Sequence, residues 1–260
     1  MDFEIIDFHV HPFITPDENV CRFPSSDMDK DFTLNIMKRN GVSKFCGSVI
    51  SRKPSTIETV WEKFSVCNEH ALELFDYYKG SYVAGCLVHP CNVDGSKKYI
   101  DLFNSKGLNL VGEIVPWSSH MQNSYNSAEM LEILDYASTK GMILSAHPTS
   151  PDDMDLLCEN LPNLTIVGAH PGEGEQLERH ILRAKKFKNY YLDLSGTGIF
   201  RYRTTRKIVD EIGAEKVIFG TDYPICSLQI YIDGVMRDEL LSDDEKRLIL
   251  SGNAKRLLKL

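Results

Sequence analysis

The sequence has no Cys-x-x-Cys pair, no apolar run near the roughly 20 residues that cross a bilayer, and no basic stripe. Each absence removes a class of protein. The seven cysteines are Cys21, Cys46, Cys67, Cys86, Cys91, Cys158 and Cys226. They are odd in number and several lie in apolar runs, so they read as reduced thiols of a cytoplasmic protein. The N-terminus shows no basic segment followed by an apolar stretch, so no signal peptide is expected. A net charge of −8 without a basic stripe argues against nucleic acid as the main partner. No Gly-x-Gly-x-x-Gly follows the first apolar run, which argues against a dinucleotide-binding sheet. Internal repeats, low-complexity tracts and Pro/Gly/Ser linkers are also missing, so residues 1–260 are expected to form a single domain.

What is present is concentrated at the ends of apolar runs. The first run, Phe3-Glu4-Ile5-Ile6-Asp7-Phe8, leads into His9-Val10-His11-Pro12. Alternate side chains of an extended strand share a face, so His9 and His11 project together and Val10 turns away. Two neutral imidazoles side by side can grip one metal ion. Pro12 stops the strand from donating further ladder bonds. Further runs end in His147, in His170 and in Asp222, and Leu108–Gly112 leads to Glu113. His89 also follows such a run, whereas His70, His120 and His180 do not. Histidine and carboxylate side chains from separate strands suit a divalent ion, zinc before manganese.

Strand-like and helix-like segments alternate along the whole chain. Strands are expected near 3–9, 43–50, 81–88, 108–115, 142–147, 163–170, 190–195 and 216–222. Helices are expected near 29–40, 55–79, 94–106, 126–140, 151–160, 173–188 and 201–212, with closing helices near 226–238 and 243–258. Ser55-Thr56-Ile57-Glu58 and Ser242-Asp243-Asp244-Glu245 both have the form of a capping box. Eight strand-then-helix units predict an α/β fold, a single (β/α)₈ TIM barrel with a C-terminal helix. Its chemistry belongs at the C-terminal ends of the strands.

In this order and spacing, His9-x-His11, His147, His170 and Asp222 resemble the amidohydrolase superfamily, and within it the amidohydrolase-related branch of short barrels. Gly220-Thr221-Asp222-Tyr223-Pro224 and Gly252-Asn253-Ala254-Lys255-Arg256-Leu257-Leu258 match endings typical of that branch. The resemblance implies one or two bound divalent metals. Many two-metal members carry a carboxylated lysine on the fourth strand. Here Val111-Gly112-Glu113-Ile114-Val115-Pro116 has none. Glu113 instead looks like the bridging glutamate of TatD-type nucleases and phosphotriesterase-like relatives. Single-metal members such as aminocarboxymuconate-semialdehyde decarboxylase lack that bridge.

His9, His11, His147 and Asp222 are therefore expected as metal ligands. His170 either ligates a second metal or stands free as an acid/base. Glu113 either ligates or orients a ligating histidine. Asp7 is read as support, and Ser195 as a hydrogen-bonding neighbour without a nucleophile elbow. Arg52, Trp117 and Arg201 lie on loops that would contact substrate, the arginines by clamping a carboxylate. The leading expectation is a metal-dependent hydrolase of a small-molecule amide, lactone or ester, with Asp222 taking the proton of the attacking water. The alternatives are a non-oxidative decarboxylase or hydratase with the same ligands, a TatD-like nuclease, and a metal-binding module without catalysis. The expected partner is a small-molecule substrate, not nucleic acid or a membrane, with a homodimer left open.

Overall fold

The computed structural model describes residues 3–260. Eight parallel strands follow one another in chain order: β1 (Ile5–Asp7), β2 (Val42–Gly47), β3 (Tyr82–Cys86), β4 (Leu110–Ile114), β5 (Ile143–Ala146), β6 (Thr165–Gly168), β7 (Tyr190–Asp193) and β8 (Val217–Ile218). Backbone bonds join the last strand region to the first. Phe8 N donates to Phe219 O at 2.9 Å, Asp222 N to His9 O at 2.8 Å, and His11 N to Tyr223 O at 2.7 Å. The curl of the sheet thus brings its two ends together, as a barrel requires.

Helices α1 (Lys30–Arg39), α2 (Val60–Tyr78), α3 (Val93–Ser105), α4 (Ala128–Thr139), α5 (Pro151–Asn160), α6 (Glu175–Lys186) and α7 (Thr204–Ile212) fill the crossovers. The chain closes with α8 (Leu228–Met236), α9 (Asp243–Arg247) and α10 (Asn253–Leu258). Strand residues such as Ile6, Cys46, Ala84, Leu110, Leu144, Val167, Leu192 and Ile218 are fully buried. Such near-continuous apolar strands are what a parallel sheet covered on both faces demands.

Two expectations about elements change. The ordered strands are shorter than the apolar runs, and β8 keeps only two residues. The polar ends of those runs leave the ladder and become the site. Ser55–Glu58 does not cap α2. Thr56 N instead bonds Thr59 Oγ1 at 2.9 Å, the chain makes a turn, and the helix begins at Val60. The second capping box forms as expected, with Ser242 and Glu245 reciprocally bonded.

No described helix is long and apolar enough to cross a membrane.

Candidate metal centre

β1 delivers His9 and His11 just beyond its last residue. Val10 N still bonds Cys46 O at 2.8 Å, so the backbone stays extended and both rings face inward. The outer nitrogen of each ring is committed. His11 Nδ1 lies 3.0 Å from Ser48 O, and His9 Nδ1 lies 2.8 Å from Asp193 Oδ2. A carbonyl or an ionised carboxylate can only accept, so both rings carry a proton on Nδ1. Neutral rings therefore turn an Nε2 lone pair inward.

Those lone pairs meet two carboxylate oxygens. His9 Nε2 is 3.3 Å from His11 Nε2 and 3.3 Å from Glu113 Oε2. His11 Nε2 is 3.4 Å from Glu113 Oε2. Asp222 Oδ1 lies 3.7 Å from His9 Nε2 and 3.5 Å from His11 Nε2. A tetrahedral ion with ligand bonds of ~2.1 Å has donor atoms about 3.4 Å apart. Asp222 Oδ1 is buried without a hydrogen-bond partner. Buried polar atoms are rarely left so, and an ion is one of the things that completes them. Two overlapping groups converge closely enough to hold an ion, His9 with His11 and Asp222, and His9 with Glu113 and His170, and their nitrogen and oxygen donors fit a divalent metal such as zinc or manganese.

The electrostatics tell the same story. Desolvation opposes charging of His9 and His11, yet Glu113 and Asp193 hold His9 well above its ordinary pKa. His11 is pushed up to about 9 against the same burial penalty by the facing carboxylates of Asp222 and Glu113. Glu113 is held well below the usual carboxylate range by its histidines, although burial opposes this. Convergent lone pairs call for a cation, and a proton is the smallest one.

Glu113 reaches a second pair of rings with its other oxygen. Oε1 lies 3.0 Å from His147 Nδ1 and 3.3 Å from His170 Nε2. Its neighbour Gly112 has φ +93, and a Cβ there would sit 2.4 Å from Ser145 O, so only glycine fits this approach. His147 thus contacts Glu113 but belongs to neither group. His170 Nδ1 contacts Ser195 Oγ at 3.0 Å. A Cβ on Gly196 would lie 2.2 Å from His170 Nδ1, so the bare backbone there makes room for the ring. His170 and Asp222 both adopt positive φ, at 59° and 66°. Such left-handed conformations in non-glycine residues cluster at functional sites.

Asp193 escapes the sequence reading and is central. It accepts from His9, from Ser195 Oγ at 2.5 Å and from Ser195 N at 2.9 Å. The signal was available, because the period of two that pairs His9 with His11 also pairs Asp193 with Ser195. Asp7 lies one step deeper, accepting from Thr221 Oγ1 at 2.6 Å and Thr221 N at 3.0 Å, and burial raises its pKa to about 7. It supports the loop that carries Asp222.

A cavity of about 530 Å³ opens beside this centre, with His147, His170, Asp222, Met154, Arg183 and Ile225 in its wall. Trp117 stands at the rim, exposed, its ring 6.3 Å from that of His147. Arg52 and Arg201 are not brought to this cavity. The Arg52 guanidinium bonds the Cys21 carbonyl, and Arg201 pairs with Glu173 at 3.1 Å. Sequence places an arginine on a loop but not the neighbour that captures it. His89 is bonded to the Ser119 carbonyl at 2.6 Å and braces the loop after β4.

A strand-end cluster of histidines and carboxylates in a parallel barrel defines a class of metal-site-bearing α/β barrels. The amidohydrolase family profile matches residues 104–260, and the chain belongs to that family. No curated protein matches the chain by sequence. Among solved structures, it resembles 2,6-dihydroxybenzoate decarboxylase from Rhizobium, at 16% identity and TM-score 0.77, covering 99% of each chain. It also resembles a dihydroxybenzoic acid decarboxylase from Polaromonas sp. JS666 with bound manganese and the inhibitor 2-nitroresorcinol. That match has 14% identity and TM-score 0.70, and covers 100% of this chain and 98% of the other. A probable 2-pyrone-4,6-dicarboxylic acid hydrolase from Acinetobacter baumannii matches at 16% identity and TM-score 0.68, over 99% of this chain and 100% of the other. At these identities the likeness concerns the fold alone.

Proposed function

We propose that this protein is a metal-dependent, non-oxidative decarboxylase of a small carboxylic acid. The observation that carries this reading is the position of His170. It stands in the wall of the 530 Å³ cavity with its Nε2 3.3 Å from Glu113 Oε1, while the other oxygen of Glu113 faces His9 and His11. Loss of carbon dioxide leaves a carbon that must be protonated, and a histidine facing the cavity is suited to carry that proton near neutral pH. His9, His11, Glu113 and Asp222 would hold the ion, with zinc or manganese as the candidates. Manganese is the metal bound in the Polaromonas decarboxylase. When bound, such an ion supplies Lewis acidity and fixes the substrate's oxygens.

The chain's own residues do the rest. Asp193 and the Ser48 carbonyl hold the two rings in one tautomer. Ser195 orients His170. As the bond from carbon to the carboxylate breaks, its electron pair stays on carbon and takes the proton of His170. Solvent reaching the cavity then returns a proton to the ring.

One observation favours a second reading. Glu113 places one oxygen on each pair of histidines, the position of a carboxylate bridging two ions. Such a centre suits hydrolysis of a lactone or other ester, with Asp222 accepting the proton of water.

The test is a screen of hydroxybenzoates, aliphatic acids and lactones with manganese- or zinc-loaded protein, following carbon dioxide release and ester opening separately. The account expects carbon dioxide release, reduced at least ~10²-fold in His170→Asn while bound metal is retained. Lactone opening without carbon dioxide would replace it with the second reading.

A further inference from the structure

Three arginines around the barrel mouth are engaged, whereas among the described residues the ammonium groups of Lys53 and Lys63, which line one cavity, are not. Arg52 bonds Cys21 O, Arg201 pairs with Glu173, and Arg183 with Asp155 at 2.6 Å. Lys53 is exposed to solvent, and Lys63, on α2, is the more enclosed of the two. It is half-buried, and among the described residues no hydrogen bond or ion pair engages its ammonium. It lines a cavity of about 80 Å³ whose wall includes Glu113, and an adjoining one of about 250 Å³. Ser51 and Cys67 are common to both.

The neighbouring groups do not neutralise it. Glu18 has one oxygen on His70 at 2.5 Å and the other on the amides of Ile14 and Thr15 at 2.9 and 3.1 Å. Burial pushes the Cys67 thiol up to about 12, so it stays uncharged. Glu62 is exposed. Burial also lowers the pKa of Lys63 itself, the expected result of desolvation without a partner. A partly desolvated, unpaired charge facing an open cavity costs free energy until an anion arrives.

We propose that Lys63 determines specificity by binding a second anionic group of the substrate, a carboxylate remote from the reacting end. The inference rests on the reading that the centre at His9, His11, Glu113 and Asp222 holds the reacting end. Glu113 both faces His9 and His11 and lines the smaller Lys63 cavity, so a substrate held at the centre and extending toward α2 would present its far end to the ammonium. Lysine suits this task as a compact charge on a flexible stem.

Benzoate and isophthalate differ by one carboxylate and serve as probes. Their binding to manganese-loaded wild type, Lys63→Met and Lys63→Arg is measured by calorimetry, with circular dichroism confirming that each variant is folded. Isophthalate is expected to bind wild type at least ~10-fold more tightly than benzoate, the scale of one charge-assisted bond. Lys63→Met should erase that difference, and Lys63→Arg should keep part of it. Isophthalate binding no tighter than benzoate, or a difference that survives in Lys63→Met, overturns the proposal. Because the readout is binding, discrimination without turnover would sink the decarboxylase reading and leave Lys63 standing. Turnover without discrimination would do the reverse.

Discussion

At the scale of single residues, the centre is built by side chains that never touch its middle. Asp193 fixes the His9 ring through Nδ1 while Nε2 faces Glu113 and Asp222. Outer partners of this kind commonly set metal affinity within a factor of 10–100. Asp193→Ala should therefore weaken manganese binding by ~10–100-fold in a competition titration against a chelating dye. Unchanged affinity would mean that Asp193 only packs. His180 offers a second test, distinct from the centre. It is fully buried, bonded to Tyr190 Oη at 2.7 Å, and desolvation holds its pKa at about 3 against an ordinary 6.5. A depressed histidine stays neutral when folded but takes up a proton when unfolded. Its stabilising effect is thus full above pH ~6.5 and drains as pH falls toward 3, by up to ~1.4 kcal/mol per unit. His180→Phe should lose this dependence, so its stability relative to wild type rises as pH drops from 7 to 5 in urea titrations. A constant difference over that interval would show that His180 is not held neutral.

At the scale of elements, the C-terminal segment shows what a periodicity argument captures and what it cannot. Within the helix expected over 243–258, Ile249 and Leu258 are buried, but Leu248 is 39% exposed. The reason is a single π turn over Leu248–Gly252, which shifts the register between α9 and α10. Ile249 O accepts from Phe219 N at 3.0 Å, tying this turn to the strand region that carries Asp222. Sequence offers no signal for an inserted residue of this kind, because its cause is a tertiary contact. Gly252-Asn253-Ala254 has a plain structural role. Asn253 Nδ2 donates to Ala214 O at 2.8 Å and Val217 O at 2.7 Å, closing the base of β8, which has only two ladder residues. Asn253→Ala leaves two buried carbonyls short of a donor and should destabilise the fold by ~1–3 kcal/mol in denaturant titrations. A loss under half of that lower bound would show that water replaces the amide.

At the scale of the whole molecule, the barrel was legible because eight alternating units leave few topologies for a parallel sheet. The convergence of His9, His11, Glu113 and Asp222 was legible because these side chains sit at strand ends, which a closed sheet brings to one axis. Arg183 and Lys63 were not, since their roles depend on neighbours brought from other elements. The arginines at 52 and 201 misled for the same reason. Substrate identity lies in those same loop and helix faces, which vary freely on a common barrel. The central claim is that His9, His11, Glu113 and Asp222 together hold a divalent ion. Its most direct test is an equilibrium titration of chelator-stripped protein with manganese, with zinc as a parallel series, monitored by metal analysis after gel filtration. Wild type is expected to retain at least one ion per chain, and His11→Ala to retain almost none while still folded, since a lost ligand cannot be replaced by water without loss of affinity. Equal metal content in wild type and His11→Ala would contradict the account.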